Sequence, residues 1–139
     1  MDVFLSADAQ QTLQALSVLS PAGRASGLLL GHKRAGRFFV EAAFPAPAGF
    51  RPSPENFPAL NETFQGRIVG FFLFGRGPAD KRAFLQPVAC GRCLVTAACR
   101  KTGAVSCRGF AVDYDGRFRL DPIRVLLDKP ATPRKKRPR

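Results

Sequence analysis

Apolar and polar positions alternate with two different periods along this chain, and the changes of period mark its elements. Val3 to Leu5 reads as a short first strand, and Ser6 stands where a helix N-cap belongs. Ala9, Leu13, Leu16 and Leu19 then recur near helical spacing until Pro21 and Gly23 end the run. Two strand-like runs follow, Gly27 to Gly31 and Arg37 to Phe44, around a turn-rich His32-Lys33-Arg34-Ala35-Gly36. Four prolines between Pro45 and Glu55 predict a loop, with a short helical stretch from Phe57 to Phe64 after it. Arg67 to Phe74 is almost continuously apolar, as expected of a strand covered on both faces. A loop over Gly75 to Asp80 and a helical turn over Lys81 to Gln86 lead to strands at Cys93–Cys99 and Ala104–Tyr114. Asp115-Gly116 is the strongest hairpin signal, with Phe118 and Leu120 on the return strand and a last short element over Ile123 to Leu127. Leu29, Val69, Phe71 and Val95 are the expected centre of the core.

These elements predict an α+β domain: a mostly antiparallel curved sheet carrying one long N-terminal helix and a short second helix. The domain spans residues 1–128. From Lys129 to Arg139 the composition changes, with six basic residues, three prolines and no acid. Such a stretch has no apolar surface to bury and predicts a basic disordered tail. It holds half of the net charge of +12.

Composition narrows the setting. The N-terminus lacks the basic and apolar regions of a signal peptide, and no apolar run is long enough for a membrane span. Four cysteines without an export signal point to reduced thiols, so a cytoplasmic protein is expected.

Two local motifs carry a family resemblance. Arg24-Ala-Ser-Gly-Leu-Leu-Leu-Gly31 is similar to Glu-x-x-Gly-Leu-Leu-Leu-Gly of the MPN (JAB/Mov34) domain, whose active members are JAMM zinc metallopeptidases. Ile68-Val69-Gly70-Phe71-Phe72 resembles the strand that leads into that family's His-Ser-His-Pro. The resemblance implies a zinc site built from two histidines and an aspartate, with a glutamate as general base. At the matching positions stand Leu73 and Gly75 for the histidines, Arg82 for the aspartate and Arg24 for the glutamate. Two guanidinium groups would repel a divalent cation. The resemblance therefore implies a member without catalytic residues, metal or cofactor, kept to bind or scaffold a protein partner. A JAMM-like hydrolase working through other residues is the alternative.

Other chemistry is weaker. Cys90-Gly91-Arg92-Cys93 is a CxxC with Cys99 and Cys107 downstream, but a strand from Cys93 to Cys99 separates its ends by roughly 20 Å at ~3.3 Å per residue. One zinc cannot span that, and Cys93 opens a strand rather than the helix N-terminus that a redox thiol requires. Gly75-Arg76-Gly77 does not match a phosphate-binding loop. The sole histidine, His32, has no triad context. Arg134, Lys135, Lys136, Arg137 and Arg139 could contact phosphate or another acidic partner, and without a base-reading motif any nucleic-acid association through them would be non-specific. The oligomeric state stays open.

Overall fold

The structure, a computed structural model, describes residues 1–19, 25–47, 50–74, 81–100 and 103–128. Seven strands form it: β1 (Asp2–Leu5), β2 (Ser26–Arg34), β3 (Arg37–Pro45), β4 (Ile68–Phe74), β5 (Cys93–Cys99), β6 (Val105–Tyr114) and β7 (Phe118–Leu127). Among the described residues the elements also include helices α1 (Ala7–Leu19) and α2 (Phe57–Thr63) and a 3₁₀ turn at Pro87–Ala89. Most element boundaries follow the sequence pattern within a residue or two. Ser6 caps α1 as expected, its Oγ accepting from the Ala9 amide at 3.1 Å. Asp115 and Gly116 make the β6–β7 turn, and β7 runs unbroken to Leu127, absorbing the separate last element expected there.

The sheet is where expectation and structure part. It is a closed barrel in the order β1-β3-β2-β4-β5-β6-β7, not an open curved sheet. Closure falls to β1, which pairs in parallel with β3 on one side and with β7 on the other. β4 and β5 are also parallel, so the barrel is mixed. Its four residues pair with Arg37–Val40 on one edge and Arg124–Leu127 on the other, stretches that in an open sheet would leave unpaired amides and carbonyls. The expected long N-terminal helix is also corrected. α1 has thirteen residues, only Ala9 and Leu13 of it are buried, and Leu19 is exposed.

The expected core is present. Leu29, Phe71 and Val95 are fully buried and Val69 nearly so. Two apolar clusters lie against β4. One joins Val3, Leu5, Leu13, Leu29, Phe72 and Val95; the other joins Leu28, Phe57, Ile68, Phe71, Leu94 and Phe110. Ile68 faces the same cluster as Phe71 and Leu73, whereas Val69 shares one with Phe72 and Phe74. Simple alternation would not do this. Val69 has no partner on β2, since Leu29 pairs with Gly70 and Leu30 with Ile68, and this β-bulge reverses the facing of the strand. Among the described residues no helix is long and apolar enough to cross a membrane.

Candidate functional site

A second bulge lies one step along β2. Leu30 pairs with Ala42 and Gly31 with Val40, which leaves Glu41 of β3 unpaired. The two slips fall at the same level of β2, and bulges of this kind re-aim side chains. The backbones come very close at this level. A Cβ on Gly31 would overlap the Phe39 carbonyl oxygen, so only glycine fits. The Gly31 amide leaves the β3 ladder and donates to the Arg67 carbonyl at 2.9 Å.

Two further turns converge here. Gln65 (φ 56°) and Gly66 (φ 72°) are both left-handed and turn the chain from α2 into β4, which sets Arg67 beside Gly31. Gly91 (φ 80°) turns the chain from the 3₁₀ segment into β5, and its amide donates to the Val112 carbonyl at 3.0 Å. Between the three corners opens a cleft of about 490 Å³. Gly31-His32-Lys33, Gly66-Arg67 and Gly91-Arg92 line it, and no carboxylate does.

The four polar side chains are held differently. Glu41, re-aimed by its bulge, bonds Arg67 and lies 3.3 Å from Nδ1 of His32. The His32 ring stacks on Phe39 with centroids 5.0 Å apart. Arg92 is half-buried. Its Nε donates to the Ile68 carbonyl and its Nη1 to the Val88 carbonyl, both at 2.9 Å, and its guanidinium lies 4.6 Å from the centroid of Phe57. Burial lowers its pKa from the ordinary guanidinium value. Lys33 is exposed, with Nζ 5.0 Å from the centre of the Phe38 ring. Neither Arg92 nor Lys33 has a carboxylate partner among the described residues.

The positions singled out in the sequence do not form this cleft. Leu73 is buried on β4 among the apolar residues of the second cluster, and Arg82 is exposed on the helical turn after residue 80. Arg24 and Gly75 lie outside the described residues, as do Arg134, Lys135, Lys136, Arg137 and Arg139 with the expected basic tail. The cysteines are placed as strand spacing requires. Cys93 starts β5 opposite Ala111, while Cys107 pairs with Ala97 near the other end. Burial pushes the Cys93 thiol up to about 12 and the Cys107 thiol up to about 11. Among the described residues no cluster of histidine, cysteine and acidic side chains could hold a metal.

Lys33, Arg67 and Arg92 went unmarked in the sequence. Arg67 and Arg92 each follow a glycine, yet Gly-Arg occurs six times in the chain, and Lys33, which follows His32, carries no such signal. Only the fold selects which of these meet.

No protein-family model and no curated protein matches the chain. Among solved structures it is similar to the solution structure of protein DSY2949 from Desulfitobacterium hafniense, with a TM-score of 0.65. The match covers 91% of this chain and 93% of that one at 18% sequence identity. The likeness is one of fold. It corrects the resemblance to the MPN domain, because the architecture matched is the closed mixed barrel and nothing in the comparisons supports that family. The short apolar motifs behind the resemblance report strands buried on both faces, and a barrel with two apolar clusters needs the same pattern.

Proposed function

We propose that this chain is a non-catalytic binding module that holds an acidic segment of a partner protein in the cleft between Gly31–Lys33, Arg67 and Arg92. The observation that carries it is the lining, three cations and an imidazole, with the single carboxylate of Glu41 at its margin. A concave surface of one sign concentrates ligands of the other and speeds their arrival. The volume suits a short stretch of side chains, being within the range of ordinary ligand pockets. Among the described residues no side chain is set up as an activated nucleophile, which favours binding over catalysis. His32 is engaged by Glu41 and Phe39, and burial keeps the Cys93 and Cys107 thiols protonated at neutral pH. A cytoplasmic setting is consistent with four cysteines that are all unpaired.

The test is fluorescence anisotropy of a labelled deca-glutamate peptide against the full chain and a Lys33→Glu, Arg67→Glu double variant. Binding that weakens at least roughly tenfold in the variant supports the proposal. Unchanged affinity overturns it. An oligonucleotide that displaces the peptide and binds more tightly at the same salt concentration would replace the protein partner with nucleic acid.

A further inference from the structure

Resting on the binding-module proposal and making it more specific, we infer that the cleft recognises a phosphomonoester on the partner's polypeptide, with Lys33 and Arg92 as the two groups that bind it. The charges at the cleft do not balance. Glu41 offsets Arg67, whereas Lys33 and Arg92 have no carboxylate among the described residues. Aromatic faces compensate a cation only in part. A half-buried guanidinium without a counter-ion is costly to fold around, and a ligand that brings the missing charge recovers that cost. Two uncompensated cations match a dianion. A phosphorylated side chain carries about −1.5 to −2 at neutral pH, whereas a carboxylate carries a single negative charge and fewer acceptor oxygens.

Arg92 is also pre-organised for this role. Two backbone carbonyls hold Nε and Nη1, and the guanidinium packs 4.6 Å from the centre of the Phe57 ring. The donors not used by the protein, both on Nη2 and the second on Nη1, then form a rigid fork suited to phosphate oxygens. A cleft of about 490 Å³ is much larger than a bare phosphate ion, so the group should arrive on a chain that fills the remainder. Glu41 stands at the margin and disfavours a second anion beside the first.

The experiment follows backbone amide shifts of the isotopically labelled full chain, with Gly31, Lys33 and Gly91 as reporters. The probes are a capped alanine pentapeptide with a central phosphoserine, its counterpart with glutamate at that position, and inorganic phosphate, all at equal ionic strength. The phosphoserine peptide should bind at least about tenfold more tightly than the glutamate peptide, and inorganic phosphate more weakly than the phosphoserine peptide. Arg92→Gln and Lys33→Gln should each abolish the preference. Lys33 is exposed, so the second variant keeps the test valid if the first disturbs folding. Equal binding of the two peptides would overturn phosphate recognition and leave the acidic-segment proposal standing. Failure of both peptides to shift the reporters would overturn the two together. Inorganic phosphate binding as tightly as the phosphoserine peptide would overturn the polypeptide source.

Discussion

Replacing Phe71 with alanine should lower folding stability by about 3–5 kcal/mol, the usual range for a buried phenylalanine. The ring is fully buried at the middle of β4. It lies 5.9 Å from Phe84, 6.3 Å from Phe57 and 6.4 Å from Phe50, centroid to centroid. Transfer of the ring from water accounts for roughly 1.5–3 kcal/mol, and lost ring–ring contacts and the cavity supply the rest. Urea unfolding measures the loss directly. With a slope of about 2 kcal/mol per molar, the midpoint should fall by roughly 2 M while the slope stays the same. A functional consequence follows from geometry. The Phe57 ring packs against both Phe71 and the Arg92 guanidinium. The folded Phe71→Ala protein should therefore also bind the phosphoserine peptide less well. Leu13→Ala, in the other cluster, should destabilise comparably with no such effect. A stability loss below ~1 kcal/mol would refute the central placement of β4, and equal peptide affinity in the two variants would refute the packing link to Arg92.

Three further outcomes are expected. Glu41→Gln removes the carboxylate that offsets Arg67 and should strengthen deca-glutamate binding a few-fold, with stability changed by less than ~1 kcal/mol because the pair is half-exposed; weaker binding would count against the charge argument. Gly31→Ala should cost about 1–3 kcal/mol through overlap with the Phe39 carbonyl, and its urea midpoint would show it. Cys93 should make stability fall at alkaline pH. Its folded pKa near 12 lies above the ordinary thiol value of 9.0, so its contribution is fully present below pH 9 and is lost as pH rises toward 12. Urea titrations from pH 7 to 11 on the native chain and on Cys93→Ala should show a steeper decline in the native chain; parallel declines would contradict the burial of the thiol.

Much of the secondary structure was legible because it rests on local causes. Ser6 caps the next amides, Asp115-Gly116 turns a hairpin, and Ile68 to Phe74 is apolar throughout because both its faces are covered. Strand rise alone was enough to separate Cys93 from Cys99 and Cys107. What the sequence did not disclose arises from pairing between distant residues. Nothing in Asp2 to Leu5 marks a strand that bonds to both Arg37–Val40 and Arg124–Leu127, yet those pairings turn an open sheet into a barrel. The bulges at Glu41 and Val69 exist only as mismatches between two strands, so neither strand shows them by itself. The cleft depends on both. Lys33 comes from β2 and Arg67 and Arg92 from two separate glycine turns, and those two resemble the other Gly-Arg pairs of the chain until the fold brings all three to one cleft.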